Sequence, residues 1–171
     1  FSMEKDERVK LLLTFEKTLT PHNIERLDML LWRGLTEEAA AMTSVVDEGH
    51  VKLAEARIGL RKMVKNVDAL IAAVPTDLQN DPGLAYERFL WRARKGRYDD
   101  ARDLMLDRST SAKSLGRPEY WADRRRDIAR QEMRDGNFNR AYKLASQHFL
   151  TEGSDYADLE WLAGFIALRK L

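Results

Sequence analysis

The sequence predicts an all-α protein, a superhelix of antiparallel helix pairs. Three observations carry that expectation. Leu, Ala, Glu, Arg and Lys dominate, β-branched residues are sparse, and no run of four or more residues alternates at period two. Apolar residues recur at helical spacing, as in Tyr86, Phe89, Leu90 and Ala93, which share one helix face. One phrase is also written twice: residues 94–105 read RKGRYDDARDLM and residues 134–145 read RDGNFNRAYKLA.

Superposing the two phrases pairs Gly96 with Gly136, Tyr98 with Phe138, Ala101 with Ala141 and Leu104 with Leu144, at an offset of 136 − 96 = 40 residues. The expected division of labour is that glycine takes the left-handed backbone ending the first helix. Tyr98 or Phe138 then fills the cleft, and Ala101 or Ala141 lets the two helices approach. Weaker copies stand at Gly34–Ala39 and Asn66–Ala69, so the alanines Ala39, Ala69, Ala101 and Ala141 are 30, 32 and 40 apart. Tetratricopeptide repeats have a similar period and turn chemistry. The fold class expected is therefore an α-solenoid of tetratricopeptide-like helix pairs.

Taken in order, the helices expected lie at about 4–19, 21–33, 36–47, 50–64, 67–74, 82–95, 98–107, 118–135, 138–149 and 155–170. Thr20-Pro21 and Asp81-Pro82 read as N-caps followed by proline in the first turn, and Thr76 with Gln79 as a capping box. Gly116-Arg117-Pro118 closes a loop and opens the next helix. Short connections make consecutive helices antiparallel neighbours. In the last segment Leu159, Leu162, Ala163 and Ile166 form one apolar face and Trp161, Phe165 and Leu168 another, so that helix is expected to be covered on both sides.

Composition bounds the chemistry. With 44% hydrophobic and 33% charged residues the chain reads as globular, and residues 1–171 as a single helical-repeat domain. Zero cysteines exclude disulfides and thiolate metal sites. A formal net charge of +1 gives no global field for nucleic acid. The longest apolar stretch, Leu159 to Leu168, is interrupted by Glu160 and too short to span a bilayer. The first residues carry no apolar core of a signal peptide.

Templates for catalysis fail. His22, His50 and His148 lack metal-ligand spacing, and no nucleophile elbow, phosphate loop or zincin motif occurs, so no metal and no cofactor is expected. Glu160, set among apolar residues, reads as a buried or half-buried ion-pair partner. A single carboxylate does not make a glycosidase pair. Arg124, Arg125, Arg126, Arg130 and Arg134 form a basic stripe that either meets an anionic ligand or pairs with Asp123, Asp127 and Glu132. Trp32, Trp91, Trp121 and Trp161 are expected in the packing between repeats.

The stretches Leu84–Phe89, Arg97–Ala101, Leu115–Arg125, Ala141–Ser146, Asp158–Gly164 and Ile166–Arg169, taken as an ordered series, resemble the superhelical, non-catalytic region of soluble lytic murein transglycosylases of Gram-negative bacteria. The likeness is best from about residue 66 onward. It implies a periplasmic protein of cell-wall turnover whose parent cleaves the β-1,4 bond between N-acetylmuramic acid and N-acetylglucosamine, leaving a 1,6-anhydro sugar. The chemistry would reside in a C-terminal lysozyme-like domain with Glu-Ser and Gly-Leu-Met-Gln motifs, none of which occurs here, so the sequence is expected to be a piece truncated before it. No catalytic residue is carried over. The implied partners are peptidoglycan strands and that catalytic domain, with Trp121, Arg124, Arg125 and Tyr142 as candidate glycan or interdomain contacts. The alternative is a tetratricopeptide-like adaptor for a protein or peptide, without sugar chemistry.

Overall fold

A computed structural model describes residues 5–170. The protein is all-α, with no strand among the described residues. It divides into two compact units, Phe1–Gln79 and Asn80–Leu171, which are taken in turn.

The first unit contains α1 (Lys5–Thr14), α2 (Glu16–Leu19), a 3₁₀ turn (Thr20–His22), α3 (Asn23–Trp32), α4 (Thr36–Ala41), α5 (Glu48–Arg61) and α6 (Val67–Ala72). Its core joins Leu27, Leu30 and Leu31 of α3 to Ala39, Met42 and Ala54. Buried Arg57 lies over the Trp32 ring at 5.4 Å and donates to Asp28 Oδ1 at 2.6 Å.

Three expectations change here. Thr20 is not an N-cap: its backbone is already helical (φ −51°, ψ −46°), so its hydroxyl turns back to donate to the Glu16 carbonyl. The helix expected to reach residue 47 stops at Ala41, because Thr43, Val45 and Val46 are weak helix formers. Asn23 Nδ2 then holds the turn through the Val45 carbonyl, and Asp47 caps α5 by accepting from His50 N–H. Gln79 donates its amide to the Val74 carbonyl instead of closing a capping box with Thr76.

The second unit contains α7 (Pro82–Arg94), α8 (Tyr98–Arg108), α9 (Ala112–Leu115), α10 (Pro118–Arg134), α11 (Phe138–Ser146) and α12 (Ser154–Lys170). Helix α7 packs on α8, α10 on α11, and α12 on both α10 and α11. Asp81 caps α7 by accepting from Leu84 N–H at 2.7 Å, with Pro82 in the first turn. The inter-hairpin loop contains α9, capped by Ser111 Oγ accepting from Ser114 N–H. The aromatic core is Tyr86, Phe89 and Trp121, whose ring centres lie 5.1 Å from Trp121 to each of the other two.

One turn geometry recurs four times. Gly34, Gly96 and Gly136 take φ of 75°, 73° and 82°, and Met63 takes 57° at the same structural position. After each, the next residue donates its N–H five residues back: Leu35 to Leu30, Val64 to Gly59, Arg97 to Arg92 and Asn137 to Glu132. This is the Schellman closure of a helix C-terminus.

Ala39, Ala101 and Ala141 follow these turns and are buried, but Ala69 is exposed. At that crossing the small residue is Gly59 on the preceding helix, where an added Cβ would stand 2.5 Å from Leu70 Cδ1. Tyr98 does not fill its cleft: it is 72% exposed, and Phe89, Ala101 and Met105 occupy the crossing instead. Phe138 is half-buried beneath Lys170 Nζ at 5.3 Å.

Helix α12 buries Leu159, Leu162, Ala163 and Ile166. Its second face is open, with Trp161 64% and Leu168 86% exposed and Trp161 stacked on Phe165. Trp161 is thus not a packing residue between helices of this unit.

Candidate binding groove and arginine brace

The basic stripe of α10 does not exist as a stripe. Three consecutive helix positions point about 100° apart, so Arg124, Arg125 and Arg126 enter three environments. Arg126 binds Asp123 on its own helix and Asp155 and Asp158 of α12, at 2.7, 3.3 and 3.0 Å. Arg125 is fully buried. Its Nη1 donates to the Leu144 carbonyl at 3.0 Å and its Nη2 to Ser109 Oγ at 2.6 Å.

Those two acceptors explain how the charge is tolerated. Ser109 caps the end of α8, and its hydroxyl donates in turn to the Met105 carbonyl at 2.6 Å. Leu144 supplies one of the last, otherwise orphaned carbonyls of α11. The guanidinium therefore lies between the C-termini of two helices, where macrodipoles place partial negative charge. No carboxylate is paired with it among the described residues, and burial pushes its pKa down to about 10. Helix α11 ends at Ser146 rather than at 149.

Beyond α11, His148 is buried. Its Nδ1 accepts from Leu150 N–H at 3.0 Å, which leaves Nε2 to carry the proton toward Glu160 Oε1 at 2.9 Å. Glu160 thus finds a hydrogen-bond partner in His148 rather than the ion-pair partner its apolar surroundings predict, and it is half-exposed, at 52%. Both ring nitrogens are engaged, so the pair braces the 147–153 loop and has no nitrogen left for proton transfer. Nothing in the spacing of His148 and Glu160 announced the contact.

A cavity of about 460 Å³ opens between the α7–α8 hairpin and α10. Phe89, Ala93, Ala101 and Ile128 make its apolar floor. Arg102 and Glu132 form a nearly buried ion pair at 2.8 Å in its wall, with Arg140 also 3.3 Å from Glu132. Tyr98, Arg124 and Asp127 stand at the rim. Among the described residues neither Arg124 nor Asp127 is ion-paired, and no hydrogen bond ties down the Tyr98 ring.

The candidate contacts therefore separate. Trp121 and Arg125 are completely buried and cannot meet a ligand; Trp121 donates its indole N–H to the Leu115 carbonyl at 3.1 Å. Arg124 lies on the groove. Tyr142, on α11, is 37% exposed and does not line it. Tyr98 joins Arg124 there, a role hidden in the sequence because its repeat position suggested packing. Among the described residues no cluster of His, Asp or Glu is arranged to hold a metal, and no helix is long and apolar enough to cross a membrane. No protein-family model, curated protein or solved structure matches this chain.

Proposed function

We propose that this chain is the non-catalytic helical scaffold of a soluble lytic murein transglycosylase, its helix pairs stacked as an α-solenoid in the periplasm. The observation that carries this reading is the fourfold recurrence of one Schellman turn, at Gly34, Met63, Gly96 and Gly136, each joining two helices. The ordered phrases from Leu84 to Arg169 supply the likeness to the transglycosylase region. The side-chain chemistry supports a scaffold, because Arg57, Arg102, Arg125 and Arg126 each tie one helix to another. In this reading the peptidoglycan strand and a lysozyme-like catalytic domain are the partners.

The test is the product of the complete open reading frame acting on purified murein sacculi, with released fragments weighed by mass spectrometry. The reading expects 1,6-anhydro muropeptides; a full-length protein that leaves murein intact refutes it. A tetratricopeptide-like adaptor is the second reading, favoured by the open Trp161–Phe165–Leu168 face of α12.

A further inference from the structure

We propose that the groove between the α7–α8 hairpin and α10 binds a glycan segment, with Tyr98 as the stacking platform and Arg124 and Asp127 as the hydrogen-bonding fork. The proposal rests on the scaffold reading only for the choice of glycan used to test it.

Three features of the groove select this ligand class. First, Tyr98 presents its exposed ring at the first position of α8, where a hydrogen-bonded turn fixes the backbone that carries it. The C–H face of a pyranose is apolar with slight positive polarity, which suits the negative face of an aromatic ring. Second, the α10 wall is a ladder: Arg124, Asp127, Gln131 and Asp135 recur at three- and four-residue intervals. At about 1.5 Å per residue they extend over some 16 Å, so the polar wall is elongated rather than a single point. Gln131 is committed to Asp135 and Arg134, which leaves Arg124 and Asp127 to meet the ligand.

Third, the lining carries both signs of charge with one carboxylate in excess. Arg102, Arg124 and Arg134 face Asp99, Asp127, Asp135 and Glu132, so a polyanion gains little and meets four carboxylates. A sugar offers a donor and an acceptor at each hydroxyl and satisfies a guanidinium and a carboxylate together. A cavity of about 460 Å³ falls within the range of small-ligand sites.

The 171-residue chain is titrated with the N-acetylglucosamine tetramer and with peptide-free murein glycan, by calorimetry and by NMR. Saturable binding is expected, with shifts centred on residues 98–102 and 124–131. Tyr98→Ala and Arg124→Ala each weaken it by about tenfold, while Tyr98→Phe keeps it within about twofold because the ring face remains. Both positions are exposed, so their urea midpoints stay at the wild-type value. The proposal is overturned if neither glycan saturates, if Tyr98→Ala binds as wild type, or if an acidic peptide or oligonucleotide binds more tightly. Murein cleavage by the full-length protein alongside such a failure leaves the scaffold reading standing. Glycan binding without murein cleavage removes the scaffold reading and keeps the groove.

Discussion

Removing Arg125 isolates the contribution of one buried cation to joining α8, α10 and α11. Arg125→Ala deletes two charge-assisted hydrogen bonds, each contributing about 1.5–3 kcal/mol. It also removes two buried methylenes, which add roughly 1.6 kcal/mol. Against this stands the recovered cost of burying the charge: a pKa pushed down from the ordinary arginine value to about 10 corresponds to about 3 kcal/mol. The net expectation is a loss of about 3 kcal/mol. Arg125→Met keeps the stem packing and removes the charge, so its loss falls to about 1 kcal/mol. Arg124→Ala, one residue away and exposed, stays within about 0.5 kcal/mol of wild type.

Urea unfolding followed by tryptophan fluorescence reads these differences, since Trp91, Trp121 and Trp161 all lie in the second unit. The pH dependence has a defined sign. Arg125 is a base with a lowered folded-state pKa, so its burial cost is fully present at neutral pH. Above about pH 10 the unfolded chain binds the extra proton, and wild type gains stability relative to Arg125→Met. An Arg125→Ala protein as stable as Arg124→Ala, or a methionine variant as damaged as the alanine one, would refute the brace.

The turns make a second set of tests. Gly96→Ala and Gly136→Ala place a Cβ in open space but on left-handed backbone, so each should lose about 1 kcal/mol by thermal melting. Met63→Gly should be neutral or up to about 1 kcal/mol more stable, and a marked loss would show that Met63 is held for its packing. Trp121→Ala should cost about 3–5 kcal/mol, whereas exposed Trp161→Ala stays within about 0.5 kcal/mol. Asp81→Ala should cost about 1 kcal/mol through the lost α7 cap, read as a lower urea midpoint.

The helical content was legible because periodicity and composition act locally. Gly96 and Gly136 announced their turns since few other residues accept positive φ cheaply. The same rule hid the turn at Met63, where a non-glycine residue takes that backbone and shifts the repeat away from Ala69. The fates of Tyr98 and Phe138 could not be separated by pattern alone. Both follow a turn glycine by two residues, and only tertiary context puts Lys170 over one and leaves the other at a groove rim. Arg125 was equally opaque: three adjacent arginines read as one surface, and only the helical rotation with its two C-terminal acceptors separates the buried one.

The most direct test of a non-catalytic scaffold is the 171-residue chain alone, incubated with purified murein sacculi while soluble muropeptides are followed by mass spectrometry. The account predicts no release above a no-protein control, whether or not the groove binds glycan. Turnover to 1,6-anhydro or hydrolysed fragments by this chain by itself would contradict it.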